Sequence, residues 1–446
     1  MIVTISENAK TIISLLCDRG FDAYAVGGCV RDSLMNREIG DIDIACSASP
    51  QELEQVLSDN SIKYVETGIK HGTVTAVINH EPFEITSFRS DGDYKDNRHP
   101  SSVEFVRDIE TDLARRDFTM NAIAYNEKNG IIDMYGGRAD IDNRLIRAVG
   151  NADRRFNEDA LRIMRALRFA SVLDFDIEEN TGKAIFDNKK LLRNIAAERL
   201  FSELKKLLLG CNAEKVLLEY REVFAVIIPE LEPCFDYPQN TKWHIYDVYT
   251  HIAKSVAQCP KKDYMRLAML FHDIGKPHTR TVDFKGTDHF KGHPAKSAEI
   301  ASRILRRFKV SNELYNKVIK LIEVHDYYIR PNKPNIKHWL GKLGADITLD
   351  YIDIKIADLS THNLTLSQDE IDTLYYIRNL TEEIINAHEP YKISDLKING
   401  SILKSFGYSG KEISNVLNYL LEEVISDPTV NEESTLIQLA KEKRRI

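Results

Sequence analysis

The chain has 446 residues and only six cysteines, none of them in a Cys-x-x-Cys pair. They stand at positions 17, 29, 46, 211, 234 and 259 without regular spacing. A disulfide framework or a zinc knuckle needs paired or clustered thiols, so the pattern excludes both and points to free thiols in a reducing compartment. No run of about 20 apolar residues occurs, which removes a membrane-spanning helix. The opening MIVTISENAKTIISLL has neither a basic leader nor a small-residue cleavage site, so no secretory signal is expected. From these absences we expect a cytoplasmic protein. Excess positive charge is missing too. Lys and Arg number 60 against 68 Asp and Glu, for a formal net charge of −8. A global field that gathers nucleic acid is therefore excluded, and any RNA contact has to come from a local basic surface. What is present is an ordinary composition, 43% hydrophobic and 29% charged. The length suits roughly two to four domains.

The stretch from Tyr24 to Ala45, YAVGGCVRDSLMNREIGDIDIA, organises the rest. An apolar strand enters a Gly27-Gly28 turn, and Val30-Arg31-Asp32 opens a short helix. A second strand then carries Asp41 and Asp43. Side chains alternate along a strand, so these two carboxylates share a face and repel each other. Divalent cations relieve that repulsion, and Mg²⁺ favours carboxylates together with phosphate oxygens. The glycines admit a phosphate close to the backbone, and a helix start supplies free N–H groups. The parts describe a site for a Mg²⁺-nucleoside triphosphate, with Gly28 and Arg31 beside the nucleotide.

The ordered set of strand, Gly-Gly, x-Val-Arg-Asp, strand and Asp-Ile-Asp resembles the nucleotidyltransferase superfamily of DNA polymerase beta. Within it, the chain is similar to the class II CCA-adding tRNA nucleotidyltransferases, in the bacterial form with an HD domain, and to their relatives the bacterial poly(A) polymerases. The resemblance implies an α+β fold: a polymerase-beta-like head with a small mixed sheet, then an all-α neck, an HD body and a tail. We place the head at 1–138, the neck with its nucleotide-selecting helix at 139–232, the HD domain at 240–365 and a helical RNA-binding tail at 366–446.

Along the chain, Ser6 and Ser49 are candidate caps for helices that start near Glu7 and Pro50. Ile62–Val65, Gly72–Ile78 and Pro82–Phe88 read as strands. Glu84 on the last of these is a candidate third carboxylate beside Asp41 and Asp43. Arg89 to Val103 is polar and reads as a long loop. The family has a flexible loop here that serves the switch from C to A addition.

A second block, DLARRDFTMNAIAY from Asp112, offers Arg115 and Arg116 to a triphosphate, since the guanidinium fork matches phosphate oxygens. Asp117 is a candidate acceptor from ribose hydroxyls, supported by Asn121, and the following NAIA reads as helix. By resemblance Arg116 and Asp117 carry the choice of ribose over deoxyribose. Asp133 to Asp140, DMYGGRAD, resembles the family's link between head and neck.

A third block, RRFNEDALRIMRALRFA from Arg154, holds a helix with Asn157 as its N-cap, Glu158 and Asp159 in its first turn, and Leu161, Met164, Leu167 and Phe169 on a buried stripe. Asp159 and Arg162 are three apart and share a face. Cytosine and adenine both present an amino donor beside a ring-nitrogen acceptor. Asp159 accepts from the first and Arg162 donates to the second. Uracil and guanine reverse both groups, at about 1–3 kcal/mol per unsatisfied polar group. The spacing also suits an ordinary ion pair on a solvated helix, and the match to the family's EDxxR motif favours base reading. Arg165 and Arg168 continue the basic row. Further on, Lys189, Lys190, Arg193, Arg199, Lys205 and Lys206 offer a local RNA-facing surface.

After a Pro/Asn-rich boundary at 233–241, histidines gather. His251, His272-Asp273 and Asp358 fall in the order of the HD phosphohydrolase superfamily, whose members hold a divalent metal that activates water against phosphoesters. His293 and His325 match positions that bind a second metal or substrate in some members. His244, His278 and His289 are unassigned. Ser394 to Gly410 resembles helix-turn-helix elements of the family's tail.

The expected activity is template-independent addition of CCA to a tRNA 3′ end from CTP and ATP, with pyrophosphate leaving and Asp41 and Asp43 holding Mg²⁺. The tRNA 3′ end and acceptor stem, CTP and ATP are the expected partners, with no membrane contact. A divalent metal of unknown identity in the HD domain allows an extra phosphohydrolase activity. An A-adding specialist stays open. A poly(A) polymerase is disfavoured, because the Arg-Arg-Phe block of bacterial members is absent from SIKYVETGIKHGTVTAV. An HD nucleotide phosphohydrolase with an RNA-binding head, or a pure RNA-binding scaffold, leaves the Asp-x-Asp and Arg-Arg-Asp blocks without a use.

Overall fold

Local signals set many of the element boundaries in the computed structural model, which describes residues 3–68, 72–92 and 101–445. α1 (Glu7–Asp18) starts where Ser6 Oγ accepts from Ala9 N at 3.3 Å. α2 (Gly28–Leu34) follows the first strand. α3 (Pro50–Asp59) begins with a full capping box between Ser49 and Glu52. Such caps each contribute about 1 kcal/mol.

The chain divides into two units, Met1–Pro229 and Glu230–Ile446. In the first, β1 (Ala23–Val26), β2 (Asp43–Cys46), β3 (Lys63–Gly68), β4 (Thr73–Ile78) and β5 (Glu81–Ser87) come before a separate hairpin, β6 (Arg89–Asp91) with β7 (Val103–Phe105). β8 (Ile123–Asn126) and β9 (Gly130–Asp133) complete a seven-stranded sheet in the order β3-β4-β5-β2-β1-β8-β9. β2 runs parallel to β5 and the other pairs are antiparallel, so the sheet is mixed. Tyr24, Val26, Phe88, Leu113, Ala124 and Val149 form a core on the head.

Three expectations are corrected here. The ends of the Arg89–Val103 loop are paired strands, in register Arg89↔Phe105 and Asp91↔Val103, while residues 93–100 lie outside the described residues. Polar hairpin arms pair through backbone groups, which composition does not report. The NAIA segment is not a helix. Thr119–Asn121 makes one 3₁₀ turn, and Ile123–Asn126 then enters the sheet between β1 and β9, with Ile123 and Ala124 fully buried. Tertiary pairing overrides the helical propensity of alanine. Asp41 lies two residues before β2 rather than on it.

α4 (Ile109–Ala114) and α5 (Gly137–Asp142) flank the second block. The third block is two helices, α6 (Ala152–Glu158) and α7 (Leu161–Leu173). Asn151, not Asn157, caps α6, and Asp159 is its extended C-cap, with φ −134° and ψ 103°. Asp159 Oδ1 accepts from Leu161 N at 3.0 Å, so the carboxylate competes with the helix and breaks it. Leu161, Met164, Leu167 and Phe169 are buried as the stripe predicts. α8 (Glu179–Asn188), α9 (Ala197–Leu208), α10 (Ala213–Glu219) and α11 (Arg221–Ile227) follow, with α9 packed on α7.

The second unit is helical apart from a short hairpin of Thr281–Val282 with Asp288–His289 among the described residues. Its helices are α12 (Val248–Gln258), α13 (Asp263–Phe271), α14 (His293–Arg307), α15 (Asn312–Val324), α16 (Lys333–Leu343), α17 (Ala345–Leu359), α18 (Leu364–Asn386), α19 (Gly400–Ser405), α20 (Lys411–Ser426) and α21 (Glu433–Arg445). The last three enclose a small core that includes Leu403, Tyr408, Leu420 and Leu436. Among the described residues, no helix is long and apolar enough to cross a membrane.

Candidate functional site

Strand register sets the acidic end of the head site. Asp43 opens β2 and pairs in register with Glu84 of β5. Register partners on adjacent strands point to the same face. Ile42 and Ile44 are buried while Asp41 and Asp43 are exposed, so the alternation carries Asp41 to that face too. The Asp43 side chain reaches solvent, but the protein packed around its carboxyl still desolvates it and raises it; Glu84 and Asp41 add to the shift, and Arg116 opposes it. Crowded hard oxygens with a destabilised charge suit a divalent cation such as Mg²⁺. The carboxylates do not by themselves close into a compact donor set. Among the described residues, such sets lie in the second unit.

Opposite them, a fully buried Asp112 receives Arg115 at 2.6 Å and Arg116 at 3.1 Å. Burial alone would push this carboxyl up, but the two guanidinium groups outweigh it and hold it down. Gly27 lets Arg116 lie against the backbone: its φ is +75°, and a Cβ there would meet Arg116 Nη1 at 3.1 Å.

A line of hydrogen bonds joins all three sequence blocks. Arg31 donates to Asp32 through Nε at 3.0 Å and Nη2 at 2.8 Å, and through Nη1 to Asn121 Oδ1 at 2.7 Å. Asn121 Nδ2 donates to Asp117 Oδ1 at 3.0 Å, and Phe118 N to the same oxygen at 2.8 Å. Arg165 closes on Asp117 Oδ2 with Nε at 2.8 Å and Nη2 at 2.6 Å. Burial would raise the Asp117 carboxyl, yet Arg165 and Asn121 bring it to about 2. A carboxylate has about four acceptor positions. Those of Asp117 are taken by Phe118 N, Asn121 and two nitrogens of Arg165, which hold the carboxylate in one orientation.

The side chains of Asp159 and Arg162 turn to different partners, although Arg162 N donates to Asp159 O at 3.0 Å. Arg162 donates to Glu158 Oε2 at 2.8 Å, to Arg155 O at 3.0 Å and to Arg115 O at 2.8 Å. Asp159 Oδ2 accepts from Arg199 of α9 at 3.2 Å. Glu158 also holds Arg154 and Arg155, at 3.2 and 2.8 Å. Arg168 binds Glu203 at 2.5 Å and lies 3.9 Å over the Phe169 ring, which Arg31 and Arg165 approach at 5.0 and 5.5 Å. Of the expected RNA-facing cations, Lys189 is bound to Glu222 and Arg199 to Asp159. Sequence reading missed Glu203 and the pairing of Arg199, because partners 35 and 40 residues apart leave no spacing signal.

The second unit gathers the predicted histidines. His251 lies on α12, His272 ends α13, His293 starts α14, His325 ends α15 and Asp358 lies on α17. Nδ1 of His272, His293 and His325 each faces a backbone carbonyl, of Met269, Phe290 and Ile322, at 2.7, 2.9 and 2.7 Å. A carbonyl only accepts, so these Nδ1 atoms carry the protons and the Nε2 lone pairs face inward. His251 Nδ1 meets Thr361 Oγ1 at 2.8 Å, and that hydroxyl donates to Asp358 O at 2.8 Å. His251 Nε2 lies 3.2 Å from His272 Nε2, and His293 Nε2 lies 3.1 Å from His325 Nε2. Lone pairs so close need a cation or a proton between them. His251, His272 and Asp358 form one compact donor set, and Asp273, His293 and His325 another. Both fit a divalent metal.

Four further residues were not foreseen there. Lys276 contacts Asp273 at 2.6 Å, and Lys355 lies 3.6 Å from Asp358. His362 lies 3.4 Å from Asp358, and burial and Lys276 push His244 down to about 2. All four border a cavity of about 350 Å³. Lys276 in HDIGK and His362, four residues past Asp358, were the available signals.

Comparison with known proteins places these features. Residues 23–147 match the Poly A polymerase head domain, 174–235 the probable RNA and SrmB-binding site of polymerase A, and 244–361 the HD domain. The CCA-adding enzyme of Ligilactobacillus salivarius is 33% identical over 98% of this chain and 96% of its own length. That of Pediococcus pentosaceus is 43% identical, over 57% of this chain and 66% of its own. A crystal structure of the Bacillus stearothermophilus CCA-adding enzyme in complex with CTP superposes with a TM-score of 0.71 at 29% identity, covering 98% of this chain and 97% of that one.

Proposed function

The chain belongs to the CCA-adding enzymes, tRNA nucleotidyltransferases, and from that premise we propose how its residues divide the work. The head, 1–138, transfers nucleotides; the neck, 139–232, selects them; the tail, 366–446, holds RNA. The activity is template-independent addition of C, C and A to the 3′ end of a tRNA. The oxygen of the terminal 3′ hydroxyl attacks the α-phosphorus of CTP or ATP. The bond to the β-phosphate breaks, pyrophosphate leaves, and the hydroxyl proton passes to a carboxylate or water.

The observation that carries this reading is the register of Asp43 with Glu84, with Arg116 facing Asp43. Asp41, Asp43 and Glu84 would hold Mg²⁺, which makes the hydroxyl more acidic and offsets charge on the leaving group. Arg115 and Arg116, steadied by Asp112, orient the triphosphate. Arg31, Asn121, Asp117 and Arg165 tie ribose selection to the phosphate end, and Gly28 keeps the backbone close. Asp159 and Arg162 read the base edge, while Arg168 steadies the floor of the site.

The test is incorporation on transcripts lacking CCA, ending in CC, or unstructured. Each receives CTP, ATP, GTP or UTP singly, then CTP with ATP. Ordered C, C and A addition that stops is expected. Only A onto the CC end would make the enzyme an A-adding specialist, and long A tails on all three would make it a poly(A) polymerase.

The inward Nε2 atoms of His251, His272, His293 and His325 favour a second activity in residues 240–365. A divalent metal held by His251, His272, Asp273 and Asp358 would supply an activated water, and Lys276 and Lys355 would orient a phosphoester. Phosphate release that survives Asp41→Ala but not His272→Ala tests it. We place both activities in the cytoplasm.

A further inference from the structure

The base reader Asp159 does not stand alone. It lies at the break between α6 and α7, outside regular helix, so no helical backbone fixes its side chain. Two contacts do so instead. Leu161 N donates to Oδ1 at 3.0 Å, and Arg199 Nη2 donates to Oδ2 at 3.2 Å. The first is a neighbour in sequence. The second comes from α9, the helix packed on α7. One turn further along the same face, Glu203 holds Arg168. α9 therefore presents a support row behind the nucleotide-selecting segment. Arg199 also has an Nη1 that is buried and has no hydrogen-bond partner.

We propose that Arg199 is a specificity-determining positioning residue: by donating to Oδ2 it fixes the direction in which Asp159 presents its remaining acceptor positions to the base. The inference rests on the base-reading role of Asp159. An arginine only donates, so the Asp159 oxygen it meets is locked as an acceptor. A carboxylate held this way accepts from the amino group of cytosine or adenine and meets the carbonyl of uracil or guanine lone pair to lone pair. Without Arg199 the group turns about χ1 and χ2, and the mismatch is no longer enforced.

The test compares the wild-type enzyme with Arg199→Met, Arg199→Lys and Asp159→Ala in the full chain. kcat/KM is measured for CTP and UTP on a transcript lacking CCA, and for ATP and GTP on one ending in CC. Arg199→Met is expected to lower the CTP/UTP and ATP/GTP ratios about tenfold, the scale of one lost polar contact. Arg199→Lys should recover most of the ratio, since an ammonium also donates to Oδ2. A uniform fall for all four nucleotides with unchanged ratios would reduce Arg199 to a packing residue and overturn the proposal. Asp159→Ala separates the two levels. If it collapses the ratios and Arg199→Met leaves them intact, only the role of Arg199 fails. If it leaves them intact as well, the base-reading assignment itself fails.

Discussion

Arg165→Met removes one half of a buried ion pair, and its cost can be worked from the contacts. Asp117 is 9% exposed and takes two bonds from Arg165, at 2.6 and 2.8 Å. Leaving a buried charge uncompensated costs about 3–5 kcal/mol. A second route uses the Asp117 carboxyl, which lies at about 2 instead of 3.8. At about 1.36 kcal/mol for each pH unit between the values, its native environment favours the ionised form by about 2.4 kcal/mol. Arg165 is 35% exposed, so water screens part of the pair and the lower figure is the better guide. Asn121 and Phe118 N remain on Asp117 in the variant. We expect Arg165→Met to destabilise the head by about 2 kcal/mol near neutral pH. The sign with pH follows from the lowered carboxyl: the stabilisation is complete above 3.8 and is lost as pH falls through about 2. Hydrogen exchange of peptides from α7 and from residues 117–126 in the full chain reads the local unfolding free energy without assuming one transition for both units. Asp117→Asn combined with Arg165→Met should recover part of the loss, since the orphaned charge is gone. Exchange in Arg165→Met within about 0.5 kcal/mol of wild type would refute the reasoning.

Asp43→Ala should reduce nucleotide incorporation by at least about 10²-fold while circular dichroism stays native, because the residue is exposed at the start of β2. Gly27→Ala should lower stability by about 1–2 kcal/mol or more, measured by thermal melting, since it forces a side chain into φ +75° against Arg116. Thr361→Val removes the hydroxyl that His251 Nδ1 meets, and should weaken metal binding to the second unit about 10- to 100-fold by titration calorimetry with Mn²⁺. Unchanged affinity would show that Thr361 does not orient that ring.

The amino-acid sequence by itself determined what depends on neighbours in the chain. Ser6 and the Ser49/Glu52 box start their helices because a side-chain oxygen reaches an N–H only a turn away. Gly27 turns where only glycine tolerates the backbone. The stripe of α7 and the order of His251, His272, Asp273 and Asp358 were legible for the same reason: each carries its own local chemistry. Tertiary structure decided every statement about partners. Glu84 stands beside Asp43 only because β2 and β5 run parallel in that register. Ile123–Asn126 became a strand because the sheet had a place for it, and the polar arms around residues 93–100 paired through their backbones. Asp159 left the helix to accept from Leu161 N, and met an arginine 40 residues away. Contacts at that range follow from packing α9 on α7, and no periodicity along the chain encodes them.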